Sequence, residues 1–345
     1  MQISENQPTC LVMALFDIIE YIKETKSERN VTMFITSHTD LITSKQETRT
    51  CFINFALEKN RRSKPFIESA KAFRHFASQA KKPSDLVNIS EIREPLLTAS
   101  GLPEKSLKYF TDEDKIIAIQ EFIKSFLEPA GDEFVEEAVY RYLLIKGDTL
   151  GGNMRNTIGE FAEQKLIRSL LSVMSGMGME YYWLSTEKDS SWQEKPIDDY
   201  EIENAMKAIS WTNGKRKRTF AFNLKIPVIN KNIDLCLFNC SPEQFAGGKI
   251  VNDEKRAIMF GELKGGIDPA GADGHWKTAN ADLEKLRTFY TSKKVNLKTS
   301  FIGVAIENNM AQEIFDQLKS EKLSIAANLT KPEQMYEFSK WVLAL

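Results

Sequence analysis

The sequence predicts an α/β protein: a sheet with helices packed on it in the carboxy-terminal half, preceded by a helical amino-terminal domain. Three observations predict this. Apolar residues recur at helical spacing up to about residue 145, strand-like runs begin only after residue 146, and the helical segment HWKTANADLEKLRTFY separates the apolar runs AIMFGELK and TSFIGVAI. A helix joining two strands buried on both faces is the pattern of a parallel crossover unit.

The opening stretch LVMALFDIIEYI carries Leu11, Leu15, Ile18, Ile19 and Ile22 at helical spacing, with Asp17 and Glu20 interrupting it. It reads as an amphipathic core helix and not as a signal or membrane span. Helices follow at FALEKN, PFIESAKAFRHFASQAKK, KIIAIQEFIKSFLEP and EEAVYRYLLIKG, broken at Lys82-Pro83-Ser84-Asp85 and Ser100-Gly101-Leu102-Pro103. Gly147-Asp148-Thr149-Leu150-Gly151-Gly152 reads as a loop, which divides the chain into a helical domain over 1–145 and a second domain over 146–345. In the second, NTIGEFAEQKLIRSLLSVM places Ile158, Phe161, Ala162, Leu166, Leu170 and Met174 on one helical face. Strands are expected at MEYYWLS, TFAFNLKIPV, NIDLCLF, AIMFGELK and TSFIGVAI, and the tail adds a helix (MAQEIFDQLKS), a strand (LSIAANL) and a closing helix (PEQMYEFSKWVLAL).

With 345 residues, 42% of them hydrophobic and 27% charged, the chain can bury a core without disulfides or metals. A net charge of -2 and a pI near 6.1 give no global field for a polyanion, so any nucleic-acid contact must come from local basic patches. Cys10, Cys51, Cys236 and Cys240 form no CxxC pair, which fits a reducing cytoplasm and argues against a structural zinc. Cys236 and Cys240 lie in an apolar run and read as core thiols.

The chemistry concentrates in two strands. Asp234 interrupts the apolar run NIDLCLF, where an unpaired carboxylate is costly to bury. Glu262 and Lys264 flank Leu263 on the next run, so alternation puts both on one face. If the strands are neighbours, two carboxylates and an ammonium converge, a set suited to a hard divalent cation such as Mg2+. Taken singly, each residue is as readily an edge or surface group; the combination is what points to a metal-dependent nuclease.

These residues match the PD-(D/E)XK nuclease superfamily, with Asn232-Ile233-Asp234 as the PD element and Glu262-Leu263-Lys264 as (D/E)XK. Ile233 departs from the proline of the superfamily's name. The longer string ELKGGIDPAGADGHWKTA resembles type II restriction endonucleases of the AvaI/BsoBI group, as do KGDTLGGNMRNTIGEFAEQ and KPSDLVNISEIREPLLTASGLPEKSLKYF. The resemblance implies a PD-(D/E)XK restriction-endonuclease-like fold, a mixed sheet flanked by helices, with Asp234, Glu262 and Lys264 as the catalytic core. Glu160 or Glu163 corresponds to the helical acid that many members place near the metal; a solvated helix face is the other reading.

His275 is one of three histidines and follows the catalytic strand, so it is a candidate to hold or deprotonate the attacking water, or alternatively a cap or phosphate contact. Asp268 either reads a cytosine amino group or stabilises the bend before Pro269. Lys277 could reach a phosphate, whereas Arg287 reads as a salt-bridged surface residue. Arg155 and Asn156, at the mouth of the long helix, suit base edges or phosphate, with capping an equal reading of Asn156. Backbone contacts are further expected from Lys81 and Lys82, from the hairpin turn Lys215-Arg216-Lys217-Arg218, and from Lys59, Arg61, Arg62 and Lys64.

The resemblance implies Mg2+-dependent double-strand cleavage of DNA at a short palindrome by at least a homodimer, with the helical domain closing on DNA. It also implies a G·C-rich site with a CCGG or YCGR core and four-base 5′ overhangs. A repair or recombination nuclease of the same superfamily, or a DNA-binding protein that kept the fold without the chemistry, are the alternatives.

Overall fold

The computed structural model describes residues 34–187, 191–246 and 249–345, apart from the side chains of Arg155 and Ala246. The expected amino-terminal helix, Cys10 and the side chain of Arg155 therefore lie outside the described residues. Among the described residues no helix is long and apolar enough to cross a membrane. The chain forms two compact units: Ile53–Thr157 is one, and Ile158–Leu345 with the described residues up to Phe52 is the other.

The first of these is helical. It contains most of α1 (Lys45–Ala77), then α2 (Arg93–Ala99), α3 (Asp112–Phe122) and the first half of α4 (Phe134–Gly176). Phe73, Leu86, Leu96, Phe122, Leu127 and Tyr142 are among the residues of its core. The break after α2 is where the sequence places it, with Gly101 in the left-handed region at φ +84°.

Two expectations fail here. FALEKN and PFIESAKAFRHF are one helix, α1, which runs through Pro65; a proline removes only its own donor, and the turns on either side keep theirs. The loop expected at Gly147–Gly152 is also helical, and the boundary expected at 145/146 falls inside α4. Its glycines cost about 1 kcal/mol each in a helix. The helix persists because its two ends are held in different cores, Ala138 and Tyr142 in one and Ala162 and Leu166 in the other.

The other unit is built on one eight-stranded sheet of order β2-β1-β3-β4-β5-β6-β7-β8. Its strands are β1 (Tyr181–Ser185), β2 (Gln193–Glu194), β3 (Met206–Asn213), β4 (Arg216–Ile226), β5 (Lys231–Phe238), β6 (Ala257–Lys264), β7 (Lys298–Gly303) and β8 (Ile325–Asn328). Pairing is antiparallel from β2 through β6 and parallel from β6 through β8, so the sheet is mixed. The short α5 (Pro242–Ala246) follows β5, α6 (Pro269–Ser292) is the crossover from β6 to β7, α7 (Asn308–Lys319) leads to β8, and α8 (Pro332–Ala344) closes the chain. The parallel β6–α6–β7 unit is as the sequence predicts.

The two faces of the sheet bury separate cores. One holds Phe260 and Phe301 with Trp276, Leu283 and Leu286 of α6 and Ile314 of α7. The other holds Phe220, Leu235 and Met259 with Leu166 and Leu170 of α4 and Phe338 of α8. Cys236 and Cys240 are buried thiols, as expected. Strand β3 is absent from the sequence reading because Ser210 and Thr212 interrupt its apolar pattern; the Ser210 hydroxyl, donating to the Arg218 carbonyl at 2.7 Å, is satisfied only across the sheet.

Candidate active site

Alternation along β6 places Leu263 against the α4-side core and turns Glu262 and Lys264 the other way, at the carboxyl end of the strand. Strand β5 lies beside β6, and the last backbone pair between them is Leu235–Gly261. Beyond that pair the Asp234 side chain replaces a backbone acceptor: its carboxylate takes the Leu263 N–H at 2.8 Å and the Lys264 ammonium at 3.1 Å. Lys264 also donates to Glu262, which is only 4% exposed. Ile233, the departure from the superfamily's proline, is an ordinary buried strand residue opposite Leu224.

Two glycines make the arrangement possible. A Cβ on Gly265 would lie 2.8 Å from the Ile158 carbonyl and 2.9 Å from the Ala162 Cβ, so the end of β6 lies directly on α4. A Cβ on Gly261 would overlap the Ser300 hydroxyl of β7, so only glycine allows the two strands to pair this closely here. Gly265 packs on α4 beside Gly159 and Ala162, and the charge on Asp234 is felt at Glu163 of the same helix. Of the two helical acids, Glu163 is half-buried and Glu160 exposed.

The site carries more negative charge than Lys264 compensates. Burial, then the charge on Asp234, pushes the Glu262 carboxyl up to about 7. Burial, then the charges on Asp234 and Glu160, pushes Glu163 up to about 7 as well. Burial pulls the Lys264 ammonium down, but Asp234 and Glu262 outweigh it and hold the group above its ordinary value. Among the described residues no three His, Cys, Asp or Glu are grouped closely enough to hold a metal unaided. A cluster of all-oxygen donors with unbalanced charge nevertheless fits a hard divalent cation, the remaining ligands being water and phosphate oxygens.

A pH effect follows. Between the ordinary carboxyl value of 4.5 and about 7, the folded protein keeps protons on Glu163 and Glu262 that the unfolded chain has released. Stability of the metal-free protein is therefore expected to fall as pH rises through that window and to level off above it. Melting temperatures in a chelator between pH 5 and pH 8 check this, and Glu163→Gln is expected to weaken the dependence; a profile unchanged by that substitution contradicts the placement of Glu163.

The remaining candidates disperse. The helix read from His275 onward begins at Pro269, with four residues between it and β6, because Asp268 caps α6 by accepting the Ala270 N–H at 3.0 Å and Pro269 occupies its first turn. His275 consequently lies in the second turn of α6, exposed, with its ring over the backbone of Gly266 and Gly271. Lys277 is exposed and pairs with Asp273 at 2.6 Å. Arg287 pairs with Glu284 and also bonds Thr299 on β7. Asn156 sits inside α4, so the expected capping role is excluded by the length of the helix.

The turn after β3 is the expected hairpin, with Gly214 at φ +59°. Lys215, Arg216 and Lys217 are exposed there, but Arg218 is a correction. It is 5% exposed and its guanidinium bonds the Asn239 side chain and the Leu345 carbonyl, which leaves it inside the protein. The antiparallel register also puts this turn at the opposite end of β4 from Asp234, roughly 23 Å away at 3.3 Å per residue. Lys81 and Lys82 are exposed in the helical unit, where their backbone N–H groups bond Asp85. In the same unit Arg61 and Arg62 pair with Glu58.

Sequence reading missed a cavity of about 870 Å³ past the end of β7, lined by Lys45, Arg49, Thr48, Pro269, Asn308 and Asn309, among others. Lys45 and Arg49 are one helical turn apart on α1; nothing in that polar stretch announces that Pro269, next to Asp268, folds against it.

An acid from one strand and a Glu-x-Lys from its neighbour, meeting at the end of a mixed sheet beside a helix that brings further glutamates, define the PD-(D/E)XK nuclease class. Comparison with known proteins narrows this. The family model described as Restriction endonuclease BsobI matches residues 31–345, and the chain belongs to that restriction endonuclease family. It is 48% identical over 306 residues to the type II restriction enzyme BsoBI of Geobacillus stearothermophilus, covering 88% of this chain and 95% of the relative. It is 45% identical over 311 residues to the type II restriction enzyme AvaI of Nostoc sp. and of Anabaena variabilis, covering 90% of this chain and 98% of each relative.

Proposed function

We propose that this protein cleaves both strands of double-stranded DNA at a short palindrome, as a type II restriction endonuclease using Mg2+ at Asp234 and Glu262. The observation that carries this reading is the shared contact of Lys264 with both carboxylates, at a strand end where Asp234 is also fixed by the Leu263 amide. The carboxylates of Asp234 and Glu262 would hold the cation, with Glu163 or Glu160 as the supporting helical acid. When bound, that cation supplies Lewis-acid stabilisation of charge growing on the phosphoryl oxygens. Lys264, held protonated by its two neighbours, orients the attacking water and offsets the charge at phosphorus. His275 is assigned the attacking water's proton or the adjacent phosphate.

Asp268 keeps one carboxylate oxygen on its own helix and has the other to accept from a cytosine amino group. Lys277, Asn156, Lys81 and Lys82, with the side chain of Arg155, are the positioning contacts in this reading, and Lys215, Arg216 and Lys217 meet DNA only if the duplex extends to the far end of the sheet. A palindrome read by one chain calls for a two-fold partner, so the working form is a homodimer. The site is G·C-rich with a CCGG or YCGR core, and cutting leaves four-base 5′ overhangs. Plasmid digestion with Mg2+ should give discrete fragments, and none in a chelator; sequenced ends then report the site and overhang. Cleavage restricted to branched or damaged DNA would instead support a repair nuclease.

A further inference from the structure

Strands β4 and β5 keep one register, with Phe222 opposite Leu235 and Leu224 opposite Ile233, yet the intervening pair, Asn223 and Asp234, is missing from the ladder. Asn223 has φ +53°, a left-handed conformation in mid-strand. Both strands change face at this point. Phe222 and Leu235 belong to the α4-side core, whereas Leu224 and Ile233, two residues along, face the core under α6. Residues two apart in a regular strand share a face, so the alternation slips by one at Asn223 and Asp234. The Asn232 side chain holds the bend by donating from Nδ2 to the Asn223 Oδ1 at 2.9 Å. Both asparagines are exposed, so neither is there to fill a core.

We propose that Asn223, held by Asn232, is a positioning residue for the cleavage reaction; the inference rests on the reading of Asp234 as an active-site carboxylate. Its left-handed backbone interrupts β4–β5 pairing opposite Asp234. Released from the regular alternation, that carboxylate lies along the sheet, where it meets the Leu263 amide and Lys264. Irregularities of this kind re-aim a side chain at the cost of ladder bonds, and asparagine is the side-chain-bearing residue that adopts the conformation most readily. Valine, branched at Cβ, resists it.

The test compares Asn223→Val, Asn223→Gly and Asn232→Ala with the parent, measuring kcat, DNA affinity in Ca2+ and the Mg2+ concentration giving half the maximal rate. Misplacing a reacting group by an ångström costs up to about 100-fold, so Asn223→Val should lose about 10- to 100-fold in kcat. It should also need more Mg2+, with DNA affinity within about twofold of the parent, since the contacts to the duplex are untouched. Asn223→Gly keeps the backbone conformation and should stay within about threefold, and Asn232→Ala, which removes only the tether, should fall about fivefold. The proposal is overturned if Asn223→Val cuts with parental kcat and Mg2+ demand. It is equally overturned if glycine fails to rescue, or if DNA affinity falls in step with rate. Should Asn223→Val not fold, Asn232→Ala decides by the same readouts. Asp234→Ala separates the levels: full cutting by it removes the site reading, whereas an inert Asp234→Ala beside an unimpaired Asn223→Val removes this inference alone.

Discussion

Lys264→Ala is expected to slow DNA cleavage by at least about 10³-fold while leaving DNA binding in Ca2+ close to parental. The ammonium bonds Asp234 and Glu262 together. Removing it takes that counter-charge from two neighbouring acids, of which Glu262 already sits near 7. The protein is expected to tolerate this by protonating one of them, so folding survives while the charge needed beside phosphorus is lost. Asp234→Ala should be equally inert, because it removes the proposed cation ligand and the acceptor of the Leu263 amide at once. A rate assay beside a binding assay in Ca2+ checks both. Cutting by Lys264→Ala at the parental rate would mean that the reaction occurs elsewhere.

Gly265→Val should produce the largest loss away from the charged groups. Even its Cβ would press on a helix carbonyl at 2.8 Å, and that oxygen is fixed by the main chain of α4 and cannot swing aside as a flexible side chain could. Strand end and helix must separate, at about 1–3 kcal/mol of stability. Lys264 rides on the strand and Glu163 on the helix, so a shift of an ångström between them should also lower kcat by about 100-fold. Thermal melting and kcat measured together check this; parental values for both would show that the close approach is unnecessary.

The crossover from β6 to β7 and the Glu262-x-Lys264 face were legible because alternation and helical spacing are local signals. Asp234 was legible for the opposite reason, as a charge in an otherwise apolar run. The fusion of α4 across Gly147–Gly152 was not, since it depends on two cores holding the helix at both ends. Nor was the burial of Arg218, whose partners Asn239 and Leu345 are 21 and 127 residues away. That Glu163 is half-buried and Glu160 exposed was not legible either, since the helix carrying both packs against the distant Gly265.

By itself the sequence determined the chemistry available to this protein: which strands carry carboxylates, which lysine stands beside them, and that the charge is local and not global. Tertiary structure decided how these groups face one another. The left-handed turn at Asn223, the contact of Gly265 with α4 and the cap at Asp268 each set an angle or an approach that no spacing along the chain encodes. The physical reason is that alternation fixes the face on which a side chain starts, while its final direction depends on where the neighbouring strand stops pairing and how close the next helix is allowed to come.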